Sequence, residues 1–301
     1  MKSVLSDQVL DWVRKSVGST TEIRSIKRLY GGTSSIVHHL SFTTGDVVLR
    51  QFDNEEWLKE EPDLARHEAE SLRKAMKTPI PTPEIIAFDE TGDECGGMPA
   101  VLMTKLEGTV QLKPQQMERW LAEMAESLVQ IHSVQADDFP WTYFTYKDLA
   151  KLEIPDWSSY PELWGAVFDF VRGPRPQVRP CLIHRDYHPT NILWVDDKVS
   201  GVVDWVNACS GPAGIDIGHC RLNLAMLYGV SAADAFLSAY EKLAGYSFSY
   251  HPYWDLLSLI DILFGPPEVF PGWIAFGMTS LTDQMMVERL DQYMKSVLNR
   301  I

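Results

Sequence analysis

Cysteine is scarce in this chain, and the four present, Cys95, Cys181, Cys209 and Cys220, form no Cys-x-x-Cys pair. That scatter argues against a structural zinc site and against a disulfide framework, and it suits a reducing cytoplasm. Basic residues are also in deficit, with 27 Lys and Arg against 41 Asp and Glu and a formal charge of -14. Such a surface repels nucleic-acid phosphate and anionic lipid, and it suits a cationic small molecule. No apolar run is long enough to span a bilayer, and the opening stretch MKSVLSDQVLDWVRKSV interrupts its apolar positions with acidic and polar residues. An amphipathic helix reads that way, and a signal peptide does not. Internal repeats and low-complexity segments are absent too.

What remains is an ordinary globular composition, 45% hydrophobic and 23% charged over 301 residues. A chain of that length makes one or two closely packed domains. After the first helix come three β-rich stretches, roughly Glu22–Tyr30, Ser35–Phe42 and Asp46–Phe52, separated by Gly31-Gly32-Thr33 and Thr43-Thr44-Gly45. They predict an antiparallel meander. Pro62 to Met76 carries apolar residues at helical spacing, Pro79 to Pro83 punctuate the chain, and short strands are expected near Ile85–Phe88 and Pro99–Lys105. Beyond Glu107-Gly108 the pattern turns helical, beginning with Gln115–Ser133 and its stripe of Trp120, Met124, Leu128 and Ile131. Strands first and helices later predict an α+β chain, with an N-terminal lobe over 1–107 and a helical C-terminal lobe over 108–301. One β-hairpin is expected inside the helical half, with Ile192–Val195 and Gly201–Trp205 flanking Asp196-Asp197-Lys198.

The chemistry concentrates around that hairpin. Ile183-His184-Arg185-Asp186-Tyr187-His188-Pro189-Thr190-Asn191 leads into it, and Val202-Val203-Asp204-Trp205 leaves it. An antiparallel hairpin sets the start of one strand beside the end of the other, so Asn191 and Asp204 are expected at the same end. Carboxylate and amide oxygens together suit Mg²⁺ beside a triphosphate. Asp186, in the loop before the hairpin, is placed to orient a hydroxyl and accept its proton.

This His-x-Asp-x-x-x-x-Asn run followed by an Asp resembles the catalytic loop and metal-binding Asp of kinases, with Val203-Asp204-Trp205 where protein kinases carry Asp-Phe-Gly. Its hydrophobic-Asp-Trp form is similar to that of the aminoglycoside phosphotransferase and choline kinase superfamily. The resemblance implies a protein-kinase-like two-lobed fold with ATP and Mg²⁺, acting on a hydroxyl of a small molecule. It further implies a nucleotide-positioning loop at Gly31, Gly32, Thr33, Ser34 and Ser35, and a phosphate-binding cation held by a helix glutamate at Arg50 and Glu68. The adenine pocket falls to Met103, Thr104 and Leu106. Asp186 becomes the base, and Asn191 and Asp204 the metal ligands. Two residues depart from the usual pattern: Arg50 stands where most relatives carry Lys, and Arg185 where small-molecule kinases carry Gly.

Arg185 alone favours a protein kinase, but the segment after Asp204 is short and no Ala-Pro-Glu follows. A peptide-docking activation segment has no room there. Two other classes stay open: a nucleotide-binding pseudokinase with a regulatory or interaction role, and a metal-dependent hydrolase. His184, His188 and Asp216 are read as loop-holding residues, and His132 and Trp205 as packing. Asp255, Asp261, Glu268 and Asp283 are candidate carboxylates for an amine-bearing substrate.

Overall fold

The computed structural model describes residues 5–18, 22–29, 35–261 and 265–301. Its contacts divide the chain into two units, Met1–Gly108 with Ser200–Asn207, and Thr109–Val199 with Ala208–Ile301. Among the described residues no helix is long and apolar enough to cross a membrane.

The first unit begins with α1 (Asp7–Val17), started by the Ser6 hydroxyl accepting from the Val9 amide. Strands β1 (Ile23–Leu29), β2 (Ile36–Phe42) and β3 (Asp46–Gln51) follow, then α2 (Glu55–Glu60), α3 (Leu64–Ala75), β4 (Ile85–Asp89) and β5 (Ala100–Thr104). The five strands form one sheet in the order β1-β2-β3-β5-β4, antiparallel throughout. Period-2 alternation explains what each face of β3 does. Val47 and Leu49 join Val9, Trp12 and Val13 of α1 in a buried apolar cluster, so the alternating Val48 and Arg50 project from the opposite face of the pleat. The expected meander is present. The short α2, capped by Asn54, lies where no helix was expected, because six residues with no buried face carry no apolar period.

In the second unit come β6 (Thr109–Val110), α4 (Met117–His132), α5 (Pro161–Arg172), β7 (Cys181–Ile183), β8 (Ile192–Val195), β9 (Lys198–Val202) and β10 (Cys209–Gly211), with β9 running across the division. Helices α6 (Ala213–Tyr228), α7 (Val230–Ala244), α8 (Tyr253–Asp261), α9 (Pro271–Ala275) and α10 (Asp283–Leu298) complete the chain. The hairpin is tighter than the sequence suggests. Asp196 and Asp197 turn the chain alone, at φ 50° and 58°, so the return strand starts at Lys198 and ends at Val202. Two consecutive left-handed residues make the primed two-residue turn that matches strand twist. Val203, Asp204 and Trp205 therefore follow the strand instead of closing it, and Asp204 itself has a φ of 69°.

Two features of this unit position the site. Antiparallel pairing of β7 with β10, Ile183 opposite Cys209, sets the loop that leaves β7 beside the chain that enters α6. Helix α6 is buried on nearly every side, as expected of a helix apolar all round. Its rotation is fixed by α8: a Cβ at Gly218 would stand 2.5 Å from the Trp254 carbonyl and 2.7 Å from the Ser258 hydroxyl.

Backbone cannot yield as a flexible side chain does, so Gly218→Ala is expected to cost about 1–3 kcal/mol through overpacking. A lowered thermal unfolding midpoint measures it, and an unchanged midpoint would mean that the α6–α8 contact is loose.

Candidate active site

Asp216, in the first turn of α6, is fully buried and accepts from three donors. The His184 amide lies 2.7 Å from Oδ2, the Arg185 amide 2.6 Å from Oδ1, and His132 Nε2 3.0 Å from Oδ2. His132 in turn meets the Tyr240 hydroxyl at 2.8 Å. The expectation that His132 only packs is therefore corrected: it bridges α4 and α7 to the carboxylate that pins the loop. A buried acceptor with charge-assisted bonds in low dielectric fixes its partners firmly.

Asp186 follows directly on that pinned segment. Its Oδ1 is 3.2 Å from His219 Nε2 and 3.5 Å from His188 Nε2, and Asn191 Nδ2 donates to its Oδ2 at 3.2 Å and to its main-chain oxygen at 2.9 Å. Burial by itself would raise the Asp186 carboxyl, but His188 and His219 hold it well below the ordinary carboxylate range. His219 moves the other way: burial lowers it, and the bond to Asp186 and the charges of Asp186, Asp216 and Asp261 more than reverse that, leaving it raised above 6.5. Nothing in the motif marked His219. It lies three residues after Asp216 on α6, the helical spacing that puts two side chains on one face, and that spacing was the available signal.

In the first unit, Arg50 Nη1 donates to Glu68 Oε1 at 2.8 Å and also lies 2.8 Å from Asp204 Oδ1. One guanidinium therefore faces two carboxylates. Burial pushes Glu68 up to about 7, Arg50 opposes it, and Asp204 adds to the rise. Glu70, two residues along α3, pairs with Arg73 instead. Of the predicted adenine residues, Met103 is buried on β5. Thr104 is occupied: its amide donates to Glu84 O at 2.9 Å and its hydroxyl accepts from the Glu84 amide at 2.8 Å. Leu106 follows the strand as a half-buried residue, and Ser35 precedes β2. Gly31, Gly32, Thr33 and Ser34 lie outside the described residues.

The candidate carboxylates separate clearly. Asp255 is fully buried, accepting from Arg221 Nε, Tyr250 and Tyr293 at 2.7–2.8 Å, and it neutralises a buried arginine. Asp283 accepts from the Val269 amide at the start of α10, and Glu268 is exposed. Asp261 is the one within the electrostatic reach of His219, the partner of Asp186, and it also lies in the field of Arg185.

Comparison with known proteins adds the family. The family model described as "Phosphotransferase enzyme family" matches residues 25–255. This chain belongs to the phosphotransferase enzyme family. Among curated relatives of this phosphotransferase, the homoserine kinase of Rhodopseudomonas palustris strain BisB5 is 23% identical over 264 residues, 79% of this chain and 76% of that one. The homoserine kinase of Mesorhizobium japonicum is 25% identical over 248 residues, covering 74% and 72%. Among solved structures, a ternary complex of aminoglycoside phosphotransferase APH(4)-Ia with ADP and hygromycin B has a TM-score of 0.62 at 15% identity, covering 96% of this chain and 98% of that one. The macrolide 2'-phosphotransferase MphH of Brachybacterium faecium has a TM-score of 0.60 at 16% identity, covering 93% and 97%. The fold is the kinase-like α+β fold of these enzymes.

The pairing of Asp186 with His219 has a measurable sign. Protonated His219 stabilises the fold below about pH 6.5, and that contribution is lost as pH rises through its raised folded value; ionised Asp186 stabilises above its ordinary range and loses this as pH falls. Asp186→Asn should therefore lower the His219 midpoint, followed by histidine proton NMR against pH. A midpoint that does not move would show that Asp186 is not what raises it.

Proposed function

We propose that this chain transfers the γ-phosphate of ATP to a hydroxyl of a small molecule. Asp186 acts on the acceptor hydroxyl, magnesium is taken by Asn191 and Asp204, and Arg50, steadied by Glu68, meets the α- and β-phosphates. Gly31, Gly32, Thr33, Ser34 and Ser35 cover the phosphates in this reading. Met103 and the main chain near Thr104 and Leu106 receive the base; because the Thr104 amide is spent on Glu84, the contact shifts toward its carbonyl and toward Leu106.

The observation that carries the reading is the ionised Asp186 carboxylate, held on both oxygens in a loop pinned by Asp216, in a chain of the phosphotransferase family. The donor set suits the metal. Asn191 commits its amide nitrogen to Asp186, which leaves its oxygen as the ligand atom. Asp204 Oδ1 is buried without a hydrogen-bond partner, although the Arg50 cation is close. Both are hard oxygens of the kind that Mg²⁺ accepts. When bound, the ion would neutralise charge on the phosphates and hold them in line.

Chemically, Asp186 accepts a hydrogen bond from the acceptor hydroxyl and aims its lone pair at the γ-phosphorus. As the new O–P bond forms and the bond to the β-phosphate oxygen breaks, the hydroxyl proton passes to Asp186 and ADP departs. A carboxylate held so far below its ordinary range is a weak base in the ground state. That suits a loose transition state, in which orientation matters early and proton acceptance comes late. Relatives named homoserine kinase and neighbours solved with ADP support a hydroxyl acceptor and an adenine nucleotide donor.

The shared Arg50 favours a second reading. If its pairing with Asp204 outlasted nucleotide binding, the chain would bind ATP and act as a regulatory pseudokinase. ADP release with Mg²⁺-ATP over a panel of hydroxyl compounds separates the two. Under the kinase reading at least one acceptor drives turnover, and Asp186→Asn lowers kcat by about 10²–10⁴-fold. Asp204→Ala is expected to abolish the Mg²⁺ dependence with it. Near-full turnover by the Asp186 variant would remove Asp186 from the chemistry, and tight ATP binding without turnover on any acceptor would favour the pseudokinase.

A further inference from the structure

Arg185 sits one residue before Asp186 with a φ of 65°, in a conformation that glycine adopts freely and arginine does not. Its side chain is 93% buried by its 7% relative exposure, and its Nε has no hydrogen-bond partner. The guanidinium lies 4.1 Å from the Phe144 ring centre and 4.2 Å from that of Tyr146, and donates from Nη2 to the Phe144 carbonyl at 2.8 Å. Arg175 shares a third ring with it, the two cations standing 4.8 and 5.4 Å from the centre of Tyr143. Neither arginine has a carboxylate ion-pair partner among the described residues.

Two arginines on one ring, with Asp261 the carboxylate in the field of Arg185, leave positive charge over for an anion. Aromatic faces hold a guanidinium flat while its N–H edge stays available for a planar oxyanion. A carboxylate of opposite sign is also near. The extended segment alternates, so Phe144 and Tyr146 serve Arg185 while the Tyr143 and Thr145 hydroxyls donate to Asp261 at 3.2 and 2.7 Å. Asp261 in turn lies in the field of His219, the partner of Asp186.

We propose that the phosphate acceptor is a hydroxyl-bearing amino acid, its carboxylate received by Arg185 and Arg175 and its ammonium by Asp261. This rests on the phosphotransferase reading and narrows it. A polycationic aminoglycoside would bring further positive charge against two arginines that share one carboxylate, Asp261, whereas a zwitterion meets both signs. The left-handed arginine then has a reason to be there: it sets a cation one residue along the chain from the base.

The test is ADP release by the full chain with Mg²⁺-ATP and L-serine, L-threonine and L-homoserine, each beside its carboxamide and its N-acetyl derivative, with hygromycin B and ethanolamine alongside. The inference expects turnover of a free amino acid and a kcat/KM about 10–100-fold lower for its amide. Arg185→Gly, which removes the left-handed strain and is expected to fold, and Arg175→Ala, on an exposed residue, should each raise KM for the acid and drive the acid-to-amide ratio toward one. Turnover of hygromycin B or ethanolamine with the amino acids inert would overturn the acceptor class and leave the kinase reading standing. ADP release from no compound in the panel would overturn both. An acid-to-amide ratio unmoved by either substitution would assign the arginines to packing.

Discussion

The loop that carries Asp186 has little regular structure of its own, so its shape must be imposed from outside. Asp216 does this with a carboxylate that accepts two consecutive loop amides and an imidazole. A turn of backbone with no ladder partners would otherwise leave its amides to compete for water. Because those amides belong to His184 and Arg185, the carboxylate also enforces the left-handed geometry at Arg185, and the strain of about 1–3 kcal/mol that such a residue stores is offset there. The positions of Asp186, of its imidazole partners and of the arginine cage all follow from this one buried charge.

Charge pairing explains why the two polar centres behave differently. Asp186 has imidazoles on one oxygen and an amide on the other, so its charge is well satisfied and its proton is lost readily. Glu68 and Asp204 compete for a single guanidinium, and the more buried of them keeps its proton up to about 7. A lysine at position 50 would offer a point charge with three donors, whereas arginine offers a planar fork able to face two carboxylates at once. The substitution at position 50 is thus matched to the doubled acidity around it.

Much of the fold was legible in the sequence, for reasons tied to particular residues. Val47 and Leu49 alternate with Val48 and Arg50, so β3 declared both its period and its polar face. Trp120, Met124, Leu128 and Ile131 declared α4 in the same way. Helix α2 was invisible because its cap, Asn54, is a local signal with no apolar stripe behind it. The hairpin return was placed too late, since Asp196 and Asp197 are not the Asn-Gly or Asp-Gly pair that usually advertises a two-residue turn. Around the loop, the run from His184 to Asn191 was readable because it is contiguous. His132, His219 and Tyr143 were not, because each reaches the site from a different stretch of chain and has no local pattern of its own, and Asp261 stood out only as one of four candidate carboxylates.

Helix α6 carries Asp216 and His219 on one face, with Gly218 between them under the α8 backbone. The anchor of the loop and the partner of its carboxylate therefore ride on a single rigid rod whose roll angle is set by a neighbour ending at Asp261. Remodelling α8 would turn that rod and retune the acidity of Asp186 and His219 with it, so changes to α8 and to the loop cannot be engineered as separate traits.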